Sequence, residues 1–357
     1  MKRGTSITKK DIVEGEIPVV SGGREPAYYC DKYNRDGETI TVAGSGAGAG
    51  YVQYWTKPIF VCDAFSIQGN PGIQTKYIYY FLTNIQDYIY STKKGGGVPH
   101  VHISSIENVS VPVPPLPVQR EIVRILDNFT ELTAELTAEL TARKQQYAYY
   151  RDKLLSTNNS SVPVVELRDI VKKSCSGATP AKGNAEYYEN GTIPWIRTQD
   201  VRFNEITEVN SYITEKAVSE TATKWIPENC VIVAISGATA GRCAINKIKA
   251  TTNQHCLNLI IDDSMALYRY VFHCLCSKYE ELISRKQGAR GDLNSSLILS
   301  LPIPIPSLEV QKRLVEVLDN FDAICSDLKI GLPAEIEARQ KQYEYYRDKL
   351  LTFTPAD

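Results

Sequence analysis

After Pro117 the chain runs to Leu155 without another Gly or Pro. Within that stretch apolar side chains fall at Ile122, Leu126, Phe129, Leu136, Leu140, Tyr147, Tyr150 and Leu154. The steps are three or four residues, with a gap of seven at two places, which marks a narrow seam of the coiled-coil kind. The spacing predicts a helix of about 39 residues, roughly 58 Å long. Val111-Pro-Val-Pro-Pro-Leu-Pro117 blocks any earlier helix or strand, and Pro117 suits a first helical position, where its missing N–H costs nothing. So long a seam needs a partner helix.

A second run supplies one. Pro302-Ile-Pro-Ile-Pro306 repeats the proline punctuation, and Ser307 is placed to cap the helix that follows. Val310, Leu314, Leu318, Phe321, Ile324 and Leu328 line one face, resumed by Ile336, Tyr343, Tyr346 and Leu350. Gly331 and Pro333 predict a kink or short break between them. The two runs are copies. Ala142–Leu155 and Ala338–Leu351 agree at eleven of fourteen positions, and both end in Tyr-Tyr-Arg-Asp-Lys-Leu-Leu. Val118-Gln119 matches Val310-Gln311, and Leu126-Asp-Asn-Phe129 matches Leu318-Asp-Asn-Phe321. The offset is 192 residues at Gln119/Gln311 and 196 at Tyr147/Tyr343, so the copies differ by one helical turn. A duplicated unit implies approximate two-fold symmetry within one polypeptide. Such symmetry suits a target with two halves, of which duplex DNA is the commonest.

Two shorter repeats refine this picture. Thr133-Ala-Glu-Leu136 and Thr137-Ala-Glu-Leu140 are tandem copies of one tetrad, preceded by the partial Thr130-Glu-Leu132. Matching Thr positions argue against chance repetition, and each word adds roughly 6 Å and nearly one turn. Ala43-Gly-Ser-Gly-Ala-Gly-Ala-Gly50 aligns with Ala234-Ile-Ser-Gly-Ala-Thr-Ala-Gly241. A nucleotide-binding glycine loop would be followed by a helix, whereas Tyr51-Val-Gln-Tyr-Trp55 is strand-like and no Gly-Lys-Ser/Thr occurs. A tight turn within a small sheet fits better.

The chain of 357 residues is long enough for two cores. It has no apolar run of membrane-spanning length and no apolar N-terminal segment, so a cytoplasmic protein is expected. Its nine cysteines form no Cys-x-x-Cys pair and read as reduced, mostly buried thiols. His273-Cys274 and Cys276 sit among Val271, Phe272 and Leu275, which favours a core helix over a metal site. With 40 basic and 41 acidic residues the net charge is −1. No segment carries a basic excess of more than about one charge, so DNA binding would rest on local patches or on a partner that grips the phosphates.

These features together resemble the DNA-specificity subunit of type I restriction–modification enzymes, over nearly the whole chain. The signs are the proline-bounded helices with Leu-Asp-Asn-Phe, the two Gln-Tyr-x-Tyr-Tyr-Arg-Asp-Lys-Leu-Leu endings, the tandem Thr-Ala-Glu-Leu words and Ile193-Pro-Trp-Ile-Arg-Thr198. The resemblance implies an α/β (α+β) chain: two mixed target-recognition domains separated by a long antiparallel two-helix coiled coil, with a pseudo-two-fold internal repeat. The expected division is a first recognition domain at 1–111, a spacer helix at 112–158, a second domain at 159–302 and a second spacer helix at 303–357. Each domain would read half of a split sequence on double-stranded DNA. Two modification (methyltransferase) subunits would dock on the helices and, through them, restriction/translocase subunits. The chain itself would hold no cofactor; S-adenosylmethionine, ATP and Mg would belong to the partners. One departure concerns the start. The second domain opens with a strand over Val164–Ile170, whereas Met1-Lys2-Arg3-Gly4 begins after its equivalent, so the expectation is either a true start upstream or a first domain trimmed of that strand.

Base reading needs Arg, Asn or Gln, and phosphate contact needs Lys, Arg or a small hydroxyl. In the first domain Arg24, Tyr28, Lys93 and Lys94 lie on or beside flexible turns. In the second, Arg197, Thr198, Gln199, Arg242, Arg285, Lys286 and Arg290 are their counterparts, with Lys93/Lys94 matched to Arg285/Lys286. The duplicated helix endings offer Gln146, Tyr149 and Arg151, and Gln342, Tyr345 and Arg347, as partner-binding positions. No Asn-Pro-Pro-Tyr or Asp-Pro-Pro-Tyr stretch is present, as an amino-methyltransferase would need, nor a nuclease constellation. A non-catalytic recognition subunit is therefore expected, the alternative being a coiled-coil scaffold that spaces two protein-binding domains.

Overall fold

The computed structural model describes residues 1–7, 13–157, 161–286 and 292–353. They form two compact units, 1–138 with 334–357, and 139–333. In unit 1, β1 (Lys2–Arg3), β4 (Thr39–Ala43), β5 (Val52–Trp55) and β7 (Ala64–Ile67) make a sheet of order β1-β7-β4-β5. The strands β2 (Ile17–Val20), β3 (Tyr28–Cys30) and β6 (Phe60–Val61) make a second, of order β3-β2-β6. Every residue of β4 is buried. Ile40, Val42, Val52, Phe65 and Ile67 pack under α1 (Thr75–Asn84) and α2 (Gln86–Ser91) through Phe81, Leu82 and Ile89. The long α3 (Leu116–Leu154) starts here and runs on into unit 2.

Unit 2 repeats the plan with additions. Its main sheet joins β9 (Val171–Ser176), β11 (Asn204–Ile206), β14 (Val231–Ala234), β15 (Cys243–Asn246) and β17 (Cys256–Ile261) in the order β11-β15-β14-β17-β9. Its smaller sheet joins β10 (Ile193–Ile196), β12 (Tyr212–Ile213), β13 (Trp225–Ile226) and β16 (Ala250–Thr252) in the order β12-β10-β16-β13. The helices are α4 (Glu215–Glu220), α5 (Tyr268–Ser277), α6 (Tyr279–Ser284), α7 (Ser295–Leu299) and α8 (Leu308–Ser326). A two-stranded ribbon pairs β8 (Val164–Glu166) with β18 (Pro302–Pro304). The common frame shows in the register: β2 runs parallel to β6 with Val20 opposite Val61, as β10 runs parallel to β16 with Ile196 opposite Thr252. β1 pairs with β7 as the end of β9 pairs with β17.

The expected strand Val164–Ile170 stops at Glu166. The Asp169 carboxylate accepts the Glu166 N–H at 3.1 Å and turns the chain into a helical turn, which buries Leu167 and Ile170 together. Glycine and proline do break the second long helix. The Asp327 carboxylate accepts the N–H groups of Lys329 and Ile330 after α8, and α9 (Leu332–Leu351) starts anew. The Ser307 hydroxyl caps α8 as expected, accepting the Val310 N–H.

Within unit 1, α3 and α9 run antiparallel. Leu126 clusters with Leu350 and Leu351, and the Phe129 ring stacks on Tyr346 with centroids 5.5 Å apart. Within unit 2, the end of α3 runs antiparallel to α8. Tyr150 meets Phe321 at 6.3 Å, and Leu155 joins the core that holds Leu314 and Leu318. The seam differs from the apolar pattern at its ends. Leu154 is exposed and Leu155 is 2% exposed. Val310, Ile324 and Leu328 face solvent, while Gln311 and Cys325 are buried. The first seam place is held by a polar residue in both copies, Gln119 and Gln311, so in the second helix hydrophobicity alone put Val310 there.

Candidate nucleic-acid interface

Three loops of unit 1 meet beside its two sheets. The turn after β2 carries Ser21–Arg24, the turn after β4 carries Gly44–Gly50, and the loop after α2 carries Lys93–His100. The middle turn is tied to the third loop, where Gly46 N–H donates to the Pro99 carbonyl at 3.0 Å and Val101 N–H to that of Gly44 at 2.9 Å. It lies so close to the first turn that a Cβ on Gly22 would collide with the Ser45 carbonyl, and one on Gly48 with that of Gly22. Small residues here are a packing requirement.

The same frame recurs in unit 2. Gly50 N–H donates to Ala43 O at 2.7 Å, and Gly241 N–H to Ala234 O at 2.8 Å. Ala49 bonds Gly46 as Ala240 bonds Gly237, and Tyr51 bonds Gly48 as Arg242 bonds Thr239. The φ angles of Gly50 and Gly241 are 83° and 91°, a region that disfavours other residues. The turn after β10 corresponds to that after β2, and it is held differently. Where unit 1 has Gly48 against Gly22, the Thr239 hydroxyl donates to the Thr198 carbonyl at 2.9 Å. The backbone is shared and the side chains are not.

Arg24 is exposed, with its guanidinium 5.0 Å from the Tyr51 ring centre. Lys93 sits 4.2 Å over Tyr90, and Lys94 exchanges both backbone hydrogen bonds with His100. Tyr28 is half-buried on β3, and its hydroxyl donates to the Ile7 carbonyl. Burial pushes that phenol above its ordinary value, followed by the Cys62 and Cys30 thiols. In unit 2, Arg197, Thr198 and Gln199 share the turn after β10, and Arg242 follows Gly241. Arg285 is turned into the domain, donating to the Leu297 carbonyl, the Ser300 hydroxyl and Glu281. The assumed match of the two cationic loops shifts by one. Thr92 and Arg285 both cap their helices, so Lys93 corresponds to Lys286. Arg290 lies outside the described residues.

The polar turn Asn253-Gln254-His255 after β16 was not singled out from the sequence. It lines a cleft of about 650 Å³ with Arg197, Tyr212 and Lys182. A run of three hydrogen-bonding side chains between two strand-like segments was the available signal. Gln53 on β5 of unit 1, whose amide donates to the Arg24 carbonyl, was not singled out either.

The helix endings repeat down to side-chain geometry. Arg143 donates to Gln146, and Arg339 to Gln342, both at 3.1 Å. Tyr149 meets Tyr150 edge-on, as Tyr345 meets Tyr346. Arg151 lies over Tyr147 and Arg347 over Tyr343, at 5.6 and 5.7 Å. Tyr149 and Tyr345 are 62% and 55% exposed. The two arginine side chains are mostly covered, at 18% and 21%, so they serve packing as well as surface.

The sequence matches the type I restriction modification DNA specificity domain over residues 1–143 and again over 159–338. It is 39% identical over 291 residues to the specificity subunit of the EcoR124I/EcoR124II type I restriction enzyme of Escherichia coli, covering 78% of this chain and 70% of that one. The fold is similar to the crystal structure of a type I restriction–modification S subunit from M. genitalium, with a TM-score of 0.62, 18% identity and 99% and 94% of the chains covered. It is also similar to a chain from a structure of type I R-M complex assembly and conformational transition, with a TM-score of 0.67, 14% identity and coverage of 95% and 92%. No helix among the described residues is long and apolar enough to cross a membrane. The duplicated domains, duplicated helices and matched loops are those of a type I restriction–modification DNA-specificity subunit, the family to which this chain belongs.

Proposed function

We propose that each unit reads one half of a bipartite sequence on double-stranded DNA through its three-loop rim, without catalysing any reaction. The observation that carries this is the glycine turn at the rim, one backbone frame built twice and furnished with different side chains. A duplicated scaffold with diverged tips suits two unlike half-sites, because the frame sets position while the side chains choose bases. Arg24, Lys93 and Lys94 would serve unit 1, and Arg197, Thr198, Gln199, Arg242 and Lys286 unit 2. The balanced charge leaves the general phosphate grip to partners.

Those partners are two copies of a methyltransferase subunit, docked on the repeated helix endings, with restriction/translocase subunits recruited through them. S-adenosylmethionine, ATP and Mg would be theirs, and the cytoplasm is where such a complex would meet DNA. The repeated exposed Tyr149 and Tyr345, each with a lysine over its ring, support a twofold docking surface. Mass measurement of the chain saturated with partner is expected to give one chain to two partner subunits, with specific DNA retention by that complex. One-to-one stoichiometry, or equal binding of all sequences by the complex, would remove the reading.

A further inference from the structure

The cleft in unit 2 contains a donor with nothing to bond. Arg197 is half-buried, with its guanidinium 5.8 Å from the Trp195 ring centre, which restrains the plane of the fork. Its backbone is fixed on both sides. Its own N–H donates to the Asp200 carboxylate at 2.8 Å, and the next carbonyl is held by Thr239. Yet its Nε is buried and has no hydrogen-bond partner among the described residues. Two side-chain carbonyls that line the same cleft take donors other than Arg197. The Gln254 carbonyl takes the Thr179 hydroxyl, and that of Asn253 takes the His255 N–H at 3.1 Å. Because Nε is closed to solvent, an acceptor entering the cleft that Arg197 lines would meet the guanidinium at its terminal amines.

We propose that Arg197 reads a guanine in the half-site of unit 2, an assignment that rests on the recognition role proposed above. Guanine presents O6 and N7 side by side in the major groove, and a planar guanidinium meets both at once. No other base offers two adjacent acceptors on that edge. In unit 1 the corresponding place after β2 is Ser21, so this contact belongs to one half-site alone.

The test uses the full chain with its methyltransferase partner, with methylated adenines mapped for wild type, Arg197→Lys and Arg197→Ala. Exchange of residues 162–301 identifies which half-site belongs to unit 2. That half should contain a guanine at which both variants lose selectivity by roughly 10- to 100-fold, while every other position stays as selective. Arg197→Lys keeps the charge and removes the fork, so it reports base reading even where the alanine variant folds poorly. The assignment is overturned if the half-site has no guanine, or if Arg197→Lys keeps full selectivity. It is equally overturned if binding weakens evenly across all sequences, the mark of a phosphate contact. A wild-type complex with no bipartite motif would instead bring down the recognition role itself.

Discussion

Gln119 and Gln311, 192 positions apart, make the same three hydrogen bonds in their own units. Gln119 accepts the Gln74 N–H at 2.9 Å and donates to the carbonyls of Gly72 and Pro114. Gln311 accepts the Leu267 N–H at 2.9 Å and donates to those of Met265 and Pro306. Each amide thus bonds the start of a domain helix, the turn before it and the proline segment that leads into the long helix. Both are almost fully buried. Replacing either by alanine removes the partner of one N–H and two carbonyls, and should cost about 2–4 kcal/mol. Hydrogen exchange should show the loss confined to the unit concerned. Equal deprotection of both units by one substitution would contradict this.

The next pair along the seam diverges. Asp127 accepts from Lys76 at 2.8 Å and from the Tyr80 hydroxyl, whereas Asp319 accepts from Arg269 at 2.8 Å and His273 at 2.7 Å. Burial opposes ionisation of Asp319, but the bonds from His273 and Arg269 outweigh it and hold the carboxyl below its ordinary value. One turn on, burial dominates at Asp322 and raises its carboxyl, although His273 and Arg269 pull the other way. The signs therefore oppose. Asp319 contributes stability above the ordinary carboxylate value and loses it as pH falls through the depressed one. Asp322 costs stability increasingly as pH rises from the ordinary carboxylate value through its raised one. Asp322→Asn should accordingly stabilise unit 2 at neutral pH, with the gain vanishing as pH falls below the ordinary carboxylate value. Asp319→Asn should destabilise at neutral pH. Urea titrations across that range check both, and a destabilising Asp322→Asn at neutral pH would refute the burial argument.

Repetition was legible in the sequence because identical contacts demand similar residues at similar spacing. The long helix, its break at Gly331 and the paired glycine turns all follow from such spacing. Two kinds of feature were not legible. Gln119 and Gln311 are polar residues in a buried seam, and only their neighbours' unpaired backbone groups explain why they belong there. Arg285 looks like any loop cation until Leu297 and Ser300, a dozen residues on, fold back to take its donors. The cleft around Arg197 draws on segments some sixty residues apart, a closeness set by the parallel pairing of β10 with β16. Parallel neighbours need long crossovers, which local patterns do not reveal.

Independence of the two readers gives a third test. The bonds and close contacts that hold the rim of unit 1 are all made within that unit, so a foreign second domain should leave the first reader intact. Exchanging residues 162–301 should change one half of the methylated sequence and leave the other unaltered. Joint alteration of both halves would show that the units do not read separately.

The tetrads lie where the two compact units divide along α3, at Ala138/Glu139. Their hydroxyls are satisfied within the helix. Thr130 donates to Leu126 O, Thr133 to Phe129 O and Thr137 to Thr133 O, at 2.9, 2.8 and 2.7 Å. Leu132, Leu136 and Leu140 are half-buried, and no core cluster includes them. A word can therefore be removed while leaving the buried core clusters of both domains intact. Deleting Thr137–Leu140 takes out four residues and nearly one turn, about 6 Å, so the remaining seam keeps its phase. At roughly 3.4 Å per base pair, rigid translation shortens the spacer between half-sites by one to two base pairs. Bending or twisting of the DNA takes up the remainder. The half-sites themselves should stay unchanged, because both rims are untouched. Methylome sequencing of cells carrying the deletion reads spacer and half-sites together. An unchanged spacer with full activity would leave the tetrads as ordinary helix, whereas a shortened spacer between identical half-sites makes α3 the ruler.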